Sequence, residues 1–364
     1  MGLKVIDLFA GAGGLSLGME QLGCETSLCI DNDPHSLETL RQNKSISTKV
    51  LEFDLSNFDT NTLREHAGIG HEAFLLVGGP PCQPFSKNSY WTEDGSDSKY
   101  RRARARGEQG VAPTPLSVPR QDKKRFLIDV YADAVRDAKP EAFVFENVAS
   151  ILHPRNKGAF SHLLERLTSY GYAVTIKKSV ALSYGIPQKR ERVFVLGMRG
   201  TQEPPFTPPT HKCKKSDPKG LLPTPLVNEV LSGVEYEEEK GVEVKGKWAD
   251  ALKQIPPGMN YKALSAWAGH PKPLFEAETR FWNFLLKLSP DLPSWTIASQ
   301  PGPWTGPFHW DNRRLTTAEM AAIQGFPPGY RFSGPRRERV RQVGNAVPPQ
   351  FIASVARDML EMLG

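Results

Sequence analysis

Cysteine is scarce in this chain, with Cys24, Cys29, Cys82 and Cys213 the only four among 364 residues. No Cys-x-x-Cys pair occurs and no histidine stands beside them at ligand spacing. Neither a disulfide framework nor a zinc site is therefore expected, no metal is called for, and any cysteine that matters acts alone. Long apolar runs are missing as well. No stretch approaches the roughly 18 residues of a membrane span. The start, MGLKVIDLFAGAGG, has no charged leader ahead of an apolar run, so a soluble, cytoplasmic protein with no membrane partner is expected. There is no excess of acid either. The 46 Lys and Arg against 40 Asp and Glu leave a formal charge of +6 and a pI ≈ 9.0, which suits a polyanionic partner without identifying one.

What is present is an alternation. Short apolar runs at 4–10, 26–30, 73–77, 142–145 and 193–197 read as strands, with helical patterns between them. That order predicts an α/β fold, a doubly wound Rossmann-like parallel sheet with ligands at the carboxyl ends of its strands. From about Pro204 the composition turns to proline-rich connections and aromatics, and six of the seven tryptophans lie beyond it. We expect domains at 1–203, a second and smaller module at 204–339 whose tryptophans form its core, and a segment at 340–364 that returns to the first domain.

The run Val5-Ile6-Asp7-Leu8-Phe9-Ala10-Gly11-Ala12-Gly13-Gly14 is a buried strand emptying into a glycine turn, followed by a helix at 15–22. Glycines let backbone approach a ligand closely. Taken alone, this leaves packing, a dinucleotide and S-adenosylmethionine all open. About twenty residues on, Asp31 ends the second strand, where an acid accepts hydrogen bonds from ribose hydroxyls. Asp31 and Asp33 could equally cap the helix that opens at Pro34. Asp54 ends another possible strand.

After Leu75-Leu76-Val77 comes Gly78-Gly79-Pro80-Pro81-Cys82-Gln83-Pro84-Phe85-Ser86. Three prolines fix φ around Cys82 and forbid regular pairing, so the thiol sits on a stiff loop at a strand end. Glu146 ends the apolar strand Phe143-Val144-Phe145. A buried carboxyl there either pairs with a base, stays protonated with a raised pKa, or simply holds a loop. In Gln188-Lys189-Arg190-Glu191-Arg192-Val193-Phe194, period-two alternation puts Gln188, Arg190 and Arg192 on one strand face.

These segments resemble the DNA (cytosine-5)-methyltransferase family, in the same order: DLFAGAGG, Asp31, Asp54, PPCQPFS, ENV, QKRERVF, RRLTTAEMAAIQGFP and GNAVPP. The resemblance covers all but the insert after Ser86 and most of residues 204–311. It implies methyl transfer from S-adenosylmethionine, leaving S-adenosylhomocysteine, to carbon 5 of a cytosine flipped out of double-stranded DNA. That carbon is too weakly nucleophilic to attack a sulfonium directly. The Cys82 thiolate would first add to carbon 6 while Glu146 serves N3, making carbon 5 enamine-like. Arg192 would contact O2, Arg190 would support the loop and its phosphate contacts, and Asn147 would help hold the Cys82 loop. For the cofactor it implies Phe9, Ala10, Gly11, Gly13, Gly14, Leu15, Asp31, Asn32, Asp54, Leu55, Pro80, Asn345 and Ala346.

A base inside the stack exposes neither face to a thiol, so extrusion is required. The basic tract at 99–106, with Arg101, Arg102, Arg104 and Arg106, reads as a loop closing over DNA, and Gln83, Ser86, Gln188 and Arg313 are further candidate DNA contacts. Arg313 and Gln324 also look like framework for the second module, which would read base edges in the major groove. A monomer is expected, acting beside a separate restriction endonuclease. The rivals are a transfer-RNA methylase, whose Cys-Phe-Thr signature is absent, and an inactive DNA-binding relative, against which every catalytic position is filled.

Overall fold

The computed structural model describes residues 2–85, 122–213, 217–235, 239–275 and 282–363, together with 96, 99, 100, 103, 111, 113 and 114. Its core is a seven-stranded sheet in the order β3-β2-β1-β4-β5-β8-β6. The strands are β1 Lys4–Leu8, β2 Glu25–Asp31, β3 Lys49–Glu52, β4 Phe74–Gly78, β5 Ala142–Val148, β6 Tyr172–Val180 and β8 Glu191–Arg199. The two-residue β7 Gln188–Lys189 lies outside it. Strands β1 to β5 are parallel, and β4 and β5 are buried along almost their whole length, as helix-covered parallel strands should be.

Two features depart from the sequence reading. Strand β6 was not foreseen, because it is an edge strand whose centre, with Lys177 and Lys178, is exposed and carries no apolar run. Strand β8 runs antiparallel to both β5 and β6. Only residues 181–190 join β6 to β8, and a parallel pair needs a crossover of about a dozen residues or more.

The strand expected from Gln188 onward is also broken. Arg190 N–H donates to Gln188 O at 2.9 Å, closing a tight turn. β7 then pairs with β9 Ser294–Trp295 in a separate two-stranded sheet.

Helix α1, Gly14–Glu20, packs on the last helix, Pro349–Leu363. The approach is close: a Cβ at Gly18 would stand 2.3 Å from Ile352 Cγ2. Helix α2 is Pro34–Asn43 and α3 is Leu63–Ala67. Beyond Pro204 the chain still holds to the first core, where Thr175 Oγ1 donates to Pro204 O at 2.7 Å and Tyr184 Oη to Thr207 O at 2.8 Å.

After Leu226 regular structure is sparse. Tyr261, Leu285, Phe308, Leu252 and Ile255 form a buried cluster, with Trp248, Phe275, Phe284 and Trp304 against it. A second cluster joins Val227, Leu288, Ile297, Leu315, Ile323, Val340 and Val343. The tryptophans divide: Trp248, Trp304 and Trp310 pack on these clusters, while Trp282 is 42 % exposed and lies edge-on to Trp295, centroids 3.9 Å apart. The boundary expected at residue 339 falls inside the helix Arg336–Asn345.

Candidate active site

The register of the parallel strands assembles the site. Leu8 is paired with Ile30 and with Gly78, and Gly78 with Phe145. The next residue of each strand, namely Phe9, Asp31, Gly79 and Glu146, therefore emerges at one rim. The strand order reverses between β1 and β4, which is where ligands of open α/β sheets bind. A cavity of ≈ 680 Å³ opens there, bounded by the glycine turn, the ends of β2 and β3, the Cys82 loop, Glu146, Arg192 and residues 341–347. That volume lies within the roughly 300–1,000 Å³ of small-molecule sites.

On the cofactor side, Gly13 caps α1 in the left-handed conformation at φ 77, which costs glycine nothing. A Cβ at Gly14 would stand 2.2 Å from Val347 O, so only glycine lets the turn touch the C-terminal segment. Phe9 holds φ 57, a strained value for a bulky side chain, and it lines the cavity. Asp31 Oδ2 accepts from Gly11 N–H at 2.8 Å and Oδ1 from Asp33 N–H at 2.9 Å. Burial raises the Asp31 pKa while these amides lower it. Asp33 is the cap of α2, accepting from Ser36 N–H at 2.7 Å with Pro34 next in line. Asp54 accepts from Ser56 N–H at 3.0 Å and faces the cavity. Asp31 and Asp54 thus make local backbone bonds and keep lone pairs for a ligand.

On the reacting side, Cys82 leads into a short 3-10 turn, Gln83–Phe85, closed by Phe85 N–H to Cys82 O at 3.0 Å. The loop is pinned by two side chains. Asn147 Nδ2 donates to Pro80 O at 3.2 Å and Arg125 Nη1 to Pro84 O at 2.8 Å. The guanidinium of Arg125 also lies 4.7 Å over the buried ring of Phe85.

Glu146 and Arg192 form an ion pair, Arg192 Nε to Glu146 Oε1 at 2.7 Å. The geometry follows from register: Glu146 lies opposite Phe194, so Arg192, two residues earlier, is its diagonal neighbour on the same face. Burial pushes the Glu146 pKa up, and Arg192 and Arg190 pull it down. Burial likewise raises the Cys82 thiol, Arg192 opposes that, Glu146 adds to it, and Arg190 opposes it. All three side chains thus share one electrostatic environment.

Cys82, Glu146 and Arg192 line the cavity together with Phe9, Ala10, Gly11, Gly14, Leu15, Asp31, Asn32, Asp54, Leu55, Pro80, Gln83, Asn345 and Ala346. Gly13 does not line it; it caps the helix behind. Three expectations are placed elsewhere. Arg190 is only 1 % exposed, and its Nη2 donates to the carbonyls of Gly344, Asn345 and Ala346 at 2.9, 3.3 and 2.8 Å. It clamps the segment bearing Asn345, and a phosphate contact is not available to it. Gln188 is fully buried, donating to Gln324 Oε1 at 2.8 Å and accepting from Ile297 N–H at 3.2 Å, so it ties β7 to residues far along the chain instead of offering a surface to DNA. Arg313 grips both oxygens of Glu319 at 2.7 and 2.6 Å, which is the framework role. Ser86, Arg101, Arg102, Arg104 and Arg106 lie outside the described residues.

The cavity also holds Phe53, Lys124, Phe126, Leu127, Arg341 and Gln342, which sequence reasoning did not select. The charge of Arg341 beside the GNAVPP segment was the one available signal.

The residues present fit S-adenosylmethionine. Lining one cavity are acceptors that would suit ribose and adenine in Asp31 and Asp54, a ring in Phe9, bare backbone at Gly11, and in Asn345 a polar side chain that would suit the amino-acid end. The family model for C-5 cytosine-specific DNA methylase matches residues 3–100 and 119–361. The type II methyltransferase M.SacI of Streptomyces achromogenes is 34% identical over 390 residues, covering 100% of this chain and 94% of that protein. M.NgoFVII of Neisseria gonorrhoeae is 29% identical, covering 98% and 86%. The solved structure of the Entamoeba histolytica methyltransferase EhMeth shares the fold, with a TM-score of 0.62, 15% identity, and 100% and 99% of the two chains covered. With its order of motifs, its sheet and its match along nearly the whole length, this chain belongs to the C-5 cytosine-specific DNA methylase family.

Proposed function

We propose that Cys82, Glu146 and Arg192 carry the methylation of carbon 5 of cytosine in DNA that membership of this family entails. The observation that supports this reading is their shared cavity with Gly11, Asp31 and Asn345. Cys82, on its proline-stiffened loop, adds to carbon 6 of the extruded ring. Its neighbour Arg192 favours the thiolate that burial alone would suppress. Glu146, whose pKa burial pushes up against the pull of Arg192, serves N3 with a hydrogen bond or a proton, so electron density gathers at carbon 5 as the sulfur bond forms. Arg192 orients Glu146 and meets O2 of the base.

Phe9, Asp31, Asp54 and Asn345 hold the cofactor. S-adenosylmethionine bound there supplies an electrophilic methyl group. Loss of the carbon 5 proton then restores the double bond and expels Cys82. Residues 204–339 select the DNA sequence, with the basic tract at 99–106 gripping phosphates. The relatives are named type II methyltransferases, and by that likeness the enzyme would protect DNA beside a separate endonuclease.

The test is transfer of labelled methyl groups into duplex DNA and into transfer RNA, with wild type and Cys82→Ala. Transfer into DNA by the wild type only, together with a stable protein–DNA adduct on 5-fluorocytosine DNA, is the expected outcome. Full activity of Cys82→Ala, or transfer into RNA alone, overturns the reading.

A further inference from the structure

One wall of the cofactor cavity is built from parts far apart in the chain. Helix α2, which follows Asp31, is stitched along its length to residues 331–342. Asn43 donates to Arg331 O at 2.7 Å and accepts from Arg331 N–H at 2.9 Å. Thr39 Oγ1 donates to Gln342 Oε1 at 2.6 Å and accepts from Ser333 N–H at 2.8 Å. At the cavity end of this seam, Arg341 Nη2 donates to Asp33 Oδ2 across 308 residues of sequence, and its Nε donates to Glu338 Oε2 at 2.6 Å.

Asp33 is thereby held at every polar point. Oδ2 takes Arg341, Oδ1 takes Ser36 N–H at 2.7 Å, and its own N–H donates to Asp31 Oδ1 at 2.9 Å. Gly11 N–H occupies Oδ2 of Asp31 at 2.8 Å. Since a carboxylate can turn about its last bond, an acid that must meet two ribose hydroxyls gains from having both oxygens fixed in advance.

We propose that Arg341 is a positioning residue for the cofactor, acting through Asp33 to fix the carboxylate of Asp31. The inference rests on Asp31 being the ribose acid. Arg341 carries no step of the chemistry; its loss loosens the Asp33 main chain, and through it the Asp31 oxygen that Asp33 holds.

The experiment measures S-adenosylhomocysteine affinity by calorimetry, without DNA, together with KM and kcat for S-adenosylmethionine, for Arg341→Gln, Asp31→Asn and the double variant. Arg341→Gln is expected to raise Kd and KM roughly tenfold, the coupling of groups within one hydrogen-bond network, with kcat at saturation unchanged. In the Asp31→Asn background it adds nothing, and Arg341→Lys recovers part of the loss. An equal penalty in both backgrounds means direct contact with the ligand and overturns the relay. So does a fall in kcat and Tm with affinity unchanged, which marks a purely structural role. If Asp31→Asn alone leaves affinity intact, the ribose assignment fails. If it weakens binding while Arg341→Gln is silent, the relay alone fails.

Discussion

At the rim of the sheet, side chains are aimed by backbone: Phe9, Asp31, Gly79 and Glu146 each stand one residue past a rung shared by β1, β2, β4 and β5, and their mutual positions come from register. In residues 227–343 little such ladder exists. There Tyr261, Phe284 and Phe308 cluster, Arg313 grips Glu319, and Thr317 Oγ1 donates to Glu239 Oε1 at 2.7 Å. The first arrangement tolerates exchange of a rim side chain without loss of fold; the second is held by the side chains themselves. Chemistry can therefore be removed from the rim while stability stays, whereas single changes in the module remove stability.

The largest effect that sharpens this contrast is on rate. Glu146→Gln should lower kcat by roughly 10²- to 10⁴-fold, the worth of a positioned acid or base, with the thermal midpoint little changed. A rate within a few-fold of wild type would remove Glu146 from the chemistry. In the module, Phe308→Ala, at a site 1 % exposed, should cost about 3–5 kcal/mol in denaturant unfolding. Equal losses from Phe308→Ala and from a rim substitution would break the comparison.

Asp7 tests whether the rim has a stability term of its own. It is fully buried beneath the glycine turn; Oδ2 accepts from Ser16 N–H at 3.1 Å, while Oδ1 has no partner among the described residues. Burial raises its pKa to about 6, against the lowering effects of Ser16 and Lys44. The folded state thus holds a proton that an unfolded carboxyl releases near 3.8. This group favours folding at low pH and loses that advantage as pH rises through about 6, a change of about 3 kcal/mol for about two pH units. Unfolding free energies of wild type and Asp7→Asn, measured from pH 4 to 7, should diverge by that order, with the wild type losing ground; parallel curves would refute it.

The smallest effect concerns the junction. Gln188→Ala should cost about 1–3 kcal/mol by stranding the partners of a buried amide, and weaken DNA binding no more than lost folded protein explains. A drop in affinity at full stability would return Gln188 to the DNA surface.

How much of this was legible varies with the range of the interaction. The strand-and-turn pieces around Gly11, Cys82 and Glu146 could be read because apolar runs, glycines and prolines act within a few residues. The period-two reading of residues 188–192 put Gln188, Arg190 and Arg192 on one face, yet it could not say what covers Gln188 and Arg190. The answer is Gln324 and residues 344–346, more than a hundred positions away. Strand β6 was missed because an exposed edge needs no apolar run, and the cluster of Val227, Leu288, Ile297 and Leu315 because its members follow no period.

By itself, then, the sequence determined which local segments would bend, ladder or present a thiol, since steric and propensity effects are short in range. Only the tertiary structure decided that Arg190 would serve the C-terminal carbonyls, that Arg341 would close a wall beside Asp33, and that Glu146 would meet Arg192 across an antiparallel strand. Those pairings depend on how distant surfaces bury one another, and no local pattern encodes that.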